Sequence, residues 1–324
     1  MWKLISFLQK NLVWSIPAIM ILGLYCGSVA DLKSLKYAVM PLTFLMVYPM
    51  MVNLQFEKIF SMESLKAQFS TQFINFAIIP FFTFYLAQYF FPTQPYIVLG
   101  LLFVALLPTS GMTISWTGFA KGNIGAAIQM TVIGLILGSI ATPFYIKYLM
   151  GTSVEIPMMQ IFNTILIVIL LPMIAGFATR KTLVKIYGQK TYATRIKMKF
   201  PMLSTIGVLG IVFVAMALKA KSITSDPSTI LTYLTPLLIL YIVNFSMSTL
   251  FAKIFLNRGD GIALVYGTVM RNLSVSLAIA MTAFENGAEI AIIIAVAYII
   301  QVQAAAWYVR LTPYIFGDSP KTDA

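Results

Sequence analysis

The residues able to do chemistry in this chain lie in two short runs flanked by apolar sequence. The first reads Leu107-Pro108-Thr109-Ser110-Gly111-Met112-Thr113-Ile114-Ser115-Trp116-Thr117, with four hydroxyl-bearing side chains in the seven positions from Thr109 to Ser115. Proline removes a backbone donor and glycine loosens a helix. A helix interrupted here frees carbonyls and N–H groups that could hold an ion or a polar substrate. The same residues permit a plainer reading, in which Ser and Thr bond back to their own helix and small side chains allow close packing. The second run reads Gly267-Thr268-Val269-Met270-Arg271-Asn272-Leu273-Ser274-Val275-Ser276. Its chemistry is that of one fixed positive charge beside an amide and hydroxyls, which suits a negatively charged ligand.

Arg271 lies ten residues from the start and thirteen from the end of the apolar stretch Gly261–Phe284, too deep to reach either edge easily. A charge at that depth in a bilayer costs at least about 2.5–3.5 kcal/mol and calls for a partner. All ten acids, Asp31, Glu57, Glu63, Glu155, Asp226, Asp260, Glu285, Glu289, Asp318 and Asp323, fall outside the apolar cores. Two partners remain open: carbonyls at the end of an interrupted helix, or an anion that comes and goes. Candidate binding residues are therefore Thr109, Ser110, Thr113, Arg271, Asn272 and Ser274, with Gln129 and Thr131 next in rank because they follow the first run directly. The other polar residues in apolar stretches, Gln72, Asn75, Asn163, Asn244, Gln301 and Gln303, read as hydrogen-bond formers between helices.

The elements that must position these residues are membrane helices. Of 324 residues, 60% are hydrophobic and only 10% charged, with a mean hydropathy of +0.89. A soluble domain is about 25% charged. There is no histidine and one cysteine, Cys26, which excludes an internal disulfide, a Cys/His zinc site and any His-dependent triad. No catalytic residue, metal or cofactor is expected, and the chain does not read as an enzyme. A crossing helix needs about 20 apolar residues. Ten such spans are predicted: Asn11–Val29, Tyr37–Asn53, Ser70–Phe91, Tyr96–Phe119, Ile124–Met150, Pro157–Ala178, Phe200–Lys219, Ile230–Leu256, Gly261–Phe284 and Glu289–Val309. The first resembles a signal peptide only superficially, because its apolar stretch is long and nine more spans follow.

The net charge of +12 would suggest nucleic acid in a soluble protein. Here it sets orientation: sixteen Lys and Arg fall at the termini and alternate connections on one side, against five on the other. Basic loops stay inside, so both termini are expected in the cytoplasm of a multi-pass cell-membrane protein. Residues 179–199 form the longest basic connection and separate five spans from five. The expected layout is an all-α membrane protein of two inverted five-helix repeats. Residues 1–150 form the first repeat, and residues 151–178 the first span of the second. Residues 179–199 are a basic cytoplasmic loop, residues 200–310 hold the remaining four spans, and residues 311–324 form a cytoplasmic tail. Aligning Phe119 with Phe284 places Gly122 on Gly287 and Thr109-Ser110-Gly111 on Ser274-Val275-Ser276, so the fourth and ninth spans correspond. Polar residues gather at mid-depth rather than along a continuous path, which suits a transporter site better than a channel pore. The expected partners are a small molecule or ion as substrate and the lipid bilayer, with no nucleic acid.

Three segments carry a family resemblance. Leu45-Met46-Val47-Tyr48-Pro49-Met50-Met51-Val52 with Phe56-Glu57-Lys58 resembles the second span of the arsenical-resistance (arsenite) permeases, a branch of the bile acid:sodium symporter superfamily. Pro108 to Asn123, ending Phe119-Ala120-Lys121-Gly122-Asn123, resembles that superfamily's fourth span, and Met270-Arg271-Asn272 its ninth-span Met-Gln-Asn stretch. The resemblance implies panel and core domains, broken fourth and ninth helices crossing in the core, and secondary transport by rocking of one domain against the other. It also marks departures. Thr109-Ser110-Gly111-Met112 stands where the arsenite branch carries a cysteine. Gly267 stands near the sodium symporters' glutamate, Arg271 at their sodium-contacting glutamine and Ile114 at an asparagine, while Thr113, Thr131 and Asn272 match. A guanidinium there repels Na⁺, so sodium-independent transport of an anion, oxyanion or metalloid is expected. The alternative is a sodium-coupled symporter of organic anions such as bile-acid-like or keto-acid substrates.

Overall fold

The computed structural model describes residues 2–30, 32–54, 64–151, 158–225 and 228–317. Phe56-Glu57-Lys58 and seven of the acids, Asp31, Glu57, Glu63, Glu155, Asp226, Asp318 and Asp323, lie outside them. The described chain is helical. A short α1 (Trp2–Lys10) precedes α2 (Leu12–Val29), α3 (Val39–Val52), α4 (Leu65–Phe73) and α5 (Ile79–Phe90). Then come α6 (Pro95–Leu106), α7 (Gly111–Phe119), α8 (Ile124–Met150), α9 (Met158–Ile165) and α10 (Leu171–Thr191). The remainder is α11 (Lys199–Ser225), α12 (Ser228–Phe255), α13 (Arg258–Val269), α14 (Leu273–Ala283) and α15 (Gly287–Phe316). Among the described residues eight segments are long and apolar enough to cross a membrane, or ten if each of two bent pairs is one span.

Prolines shape the joints. Single π turns at Ile74–Ile78 and Leu166–Leu170 stand just before Pro80 and Pro172. Pro80 cannot donate to the carbonyl four residues back, on Phe76. The Tyr145 hydroxyl of α8 donates to that carbonyl instead, at 2.5 Å, so the loss is made good from a neighbouring helix. One expectation needs correction. The loop read at residues 179–199 is largely helical: α10 runs on to Thr191, followed by a π turn to Ile196. Its Lys, Arg and Leu residues are good helix formers. The conformational break falls at Gly188, whose φ of 77° suits a residue without a Cβ.

α11 lies along α2 and α3, and α10 along α3. Gly27 permits the first contact, since a Cβ there would run into the backbone of Ala217. Elsewhere α13 packs on α4, α7, α8 and α12, and α15 on α6, α12 and α14. α14 meets α3 and α9, and α15 meets α2 and α11, where Lys219 and Glu289 form a 3.2 Å ion pair. The turns before α8 and α13 are tied by Asp260. Its Oδ1 accepts from Ser64 Oγ (2.8 Å) and Asn123 Nδ2 (2.7 Å), and its Oδ2 from Asn257 Nδ2 (3.0 Å).

Candidate functional site

Helical bonding stops at Leu106 and resumes at Gly111, across a bend of 57°. Pro108 cannot continue the ladder, and Thr109 takes a left-handed φ of 63°, a costly conformation for a β-branched residue. Surrounding bonds hold it there. Thr109 Oγ1 donates to the carbonyls of Pro108 (2.6 Å) and Thr131 (3.2 Å). Gly134 of α8 makes room, since a Cβ on it would lie 2.6 Å from Thr109 Oγ1. The next helix starts on a reciprocal cap: Ser110 Oγ accepts from the Met112 N–H, and Thr113 Oγ1 accepts from the Ser110 N–H, each at 3.2 Å. Thr131 Oγ1 donates to Ala127 O at 2.7 Å. The hydroxyls of Thr109, Ser110, Thr113 and Thr131 are thus gathered at one break and engaged with backbone groups. Gln129 is buried on α8. Standing two positions from Thr131, it faces away from that cluster.

The second gap is Met270–Asn272, between α13 and α14. Asn272 caps α14 by accepting from the Val275 N–H at 3.2 Å. The two gaps meet: the Asn272 N–H donates to Leu107 O (2.8 Å), Ser276 Oγ to Phe103 O (2.8 Å) and Arg271 Nη1 to Ala105 O (3.2 Å). These donors satisfy carbonyls that the last turn of α6 leaves orphaned, and the cation sits at its partial negative charge. At the end of α13, Asn75 Nδ2 donates to Gly267 O (3.0 Å) and Asn244 Nδ2 to Thr268 O (2.9 Å). Ser274 is half-buried and shares a hydrogen bond with the Tyr298 hydroxyl.

Arg271 is 2% exposed. Its backbone is gripped by Gln301, whose Oε1 accepts from the Arg271 N–H (2.8 Å) while Nε2 donates to the Arg271 carbonyl (3.1 Å). The Tyr241 hydroxyl donates to the same Oε1 at 2.8 Å. Among the described residues no carboxylate pairs with Arg271, and its Nη2 is buried without a hydrogen-bond partner. A buried donor in that state costs about 1–3 kcal/mol, more when charged. Gln301 and Tyr241 are the residues that sequence reasoning did not place here. The amide of Gln301 was the only signal, and nothing local joins it to a peptide thirty residues away. Asn75, Asn244 and Gln301 form the interhelical bonds expected of them, whereas neither amide atom of Gln72 has a partner.

The model of the Sodium Bile acid symporter family matches residues 40–226. The chain belongs to this family. It is a membrane transporter, and its relatives within and around the family are distant but long. The arsenical-resistance protein Acr3 of Alkaliphilus metalliredigens is 24% identical over 320 residues, covering 91% of this chain and 89% of that protein. Acr3 of Corynebacterium glutamicum is 24% identical over 304 residues, covering 86% and 82%. Sodium/bile acid cotransporter 7 of Danio rerio is 22% identical over 204 residues, covering 60% and 58%. The stretch matched to the family contains the Leu107–Ser110 gap and ends before Arg271.

Proposed function

We propose that this family member is a secondary transporter of a small anion, oxyanion or metalloid, similar to the arsenical-resistance branch and not driven by sodium. The observation that carries the reading is Arg271, a buried cation with one nitrogen unpartnered at the meeting point of two helix gaps. In this reading the anion completes the guanidinium. Asn272 and Ser274 flank it, and Thr109, Ser110, Thr113 and Thr131 line and shape the facing side, with Gln129 behind them on the opposite face of α8. Access alternates as the body containing α2, α3, α10 and α11 rocks against the rest, the panel and core of two inverted five-helix repeats. Both termini lie in the cytoplasm and the protein resides in the cell membrane, a placement supported by the Lys and Arg asymmetry. A positive charge beside the α6 carboxyl end supplies what a bound Na⁺ would supply and repels that ion. The names of the Acr3 relatives favour a metalloid cargo. The lack of a cysteine between Pro108 and Ser115 favours a hard oxyanion.

The second reading, a sodium-coupled carrier of organic anions, draws on the family description and on the cotransporter relative. Uptake into liposomes of purified protein separates the two, with arsenite, antimonite, arsenate and organic acids offered in turn, with and without a sodium gradient. The proposal expects transport of an inorganic species at equal rates in both conditions. Strong sodium dependence, or organic acids as the only cargo, overturns it.

A further inference from the structure

A groove of about 540 Å³ runs down the outer face of the protein between α12 and α15. Tyr241 bonds Gln301, and eight positions further along α12 Thr249 bonds Tyr308, so the two helices run in the same direction and wall the groove throughout. From Leu238 to Lys253 the wall spans sixteen residues, about 22 Å of helix. One bilayer leaflet contributes about 15 Å of hydrocarbon. The groove therefore extends from the depth of the Arg271 network to the end of one leaflet.

Its chemistry is graded along that length. The hydroxyls of Tyr241, Thr249 and Tyr308 are spent on partners within the walls, leaving mostly rings and aliphatic groups, with the Ser246 hydroxyl among them, to face an occupant. A polar cargo finds little to bind. At the far end Lys253 lines the groove, and about one turn short of it Trp307, 55% exposed, carries the Arg310 guanidinium 5.4 Å from its ring. Arg258 joins the same end of the molecule, donating to the carbonyls of Gly317 and Lys121. An apolar slot one chain wide that ends in basic and tryptophan side chains matches an amphiphile with an anionic head.

We infer that this groove binds one acyl chain of an anionic phospholipid, with its phosphate at Lys253. The inner end of the chain rests against Tyr241, whose hydroxyl bonds the Gln301 that holds both sides of the Arg271 peptide. Lipid occupancy thus stiffens the peptide that carries Arg271. The inference requires only that the helices span a membrane and is independent of the cargo.

Native mass spectrometry of the full chain released from nanodiscs of equal phosphatidylglycerol and phosphatidylcholine tests it. The wild type should retain one phosphatidylglycerol, favoured about fivefold over phosphatidylcholine as expected for one cation at the headgroup. Ala304→Trp, which fills the groove, should lose that lipid. Lys253→Gln, an exposed change that leaves the walls intact, should retain a lipid with a clearly weakened headgroup preference. A wild type that retains no lipid, or an unchanged preference in Lys253→Gln, overturns the site, as does unchanged retention in Ala304→Trp. A dimer in the wild type that Ala304→Trp dissociates overturns it in favour of an interface between copies.

Discussion

Leu107–Ser110 and Met270–Asn272 are both short gaps in otherwise continuous apolar helix, yet their polar groups are disposed differently. The first gap closes on itself. Its hydroxyls cap helices or bond carbonyls, and Thr109 is held in a left-handed turn by Pro108, Thr131 and the space above Gly134. The second gap is held from outside. Gln301 grips its backbone, Asn75 and Asn244 finish the helix before it, and its one charged side chain reaches across to the last turn of α6 with a nitrogen to spare. A run of hydroxyls is a structural solution when each has a nearby backbone carbonyl or N–H. A charge without a counter-charge is not, because burial makes it costly whether or not it is half satisfied.

The contrast is broken most severely at Arg271. Arg271→Met removes a buried charge and one donor to Ala105, opposing effects that should leave the midpoint of thermal unfolding nearly unchanged. Transport should fall at least tenfold, as expected from losing an ionic hydrogen bond of about 1.5–3 kcal/mol. Liposome uptake beside a melting curve checks both, and a collapse of stability with it would make the residue structural. Gln301→Leu should cost about 2–4 kcal/mol, since it orphans the buried Arg271 carbonyl and the Tyr241 hydroxyl, while the Arg271 N–H keeps Val269 O. A loss below 1 kcal/mol in denaturant unfolding would mean that the second gap is not held by this amide. At the first gap Thr109→Val should destabilise by about 1–2 kcal/mol more than Thr109→Gly. Both lose the hydroxyl, but glycine relieves the left-handed strain whereas valine keeps it. Equal melting temperatures would contradict the account of that turn. The smallest effect is expected at Lys219→Gln. The pair with Glu289 is about a third exposed and contributes at most about 1 kcal/mol to stability. It joins α11 to α15, so its removal should change transport rate more than melting temperature.

Much of this architecture was legible in the residues. The span expected at Ile124–Met150 is α8 to the residue, because Asn123 caps one end and Gly151 follows the other. The helical stretch from Lys181 to Gly188 was not, because a dense run of Lys and Arg reads as a loop when membrane hydropathy is the guide. At the site, sequence could locate a charge remote from every acid and a proline beside hydroxyls. It could not say which hydroxyls were already engaged, since Thr131 and Gly134 reach Thr109 only once α8 folds back. Nor could it pair Gln301 with Arg271, or Asn75 with Gly267, because each contact is made by packing between helices distant in sequence.

The account stands or falls on whether the spare nitrogen of Arg271 holds the cargo. Thermal unfolding of purified wild type and Arg271→Met, each titrated with arsenite, arsenate and organic acids in sodium-free buffer, reads this directly. A ligand that binds the folded state raises its melting temperature by mass action. The account predicts that at least one anion or metalloid stabilises the wild type in a concentration-dependent way and leaves Arg271→Met unmoved. An equal shift in both proteins would contradict it.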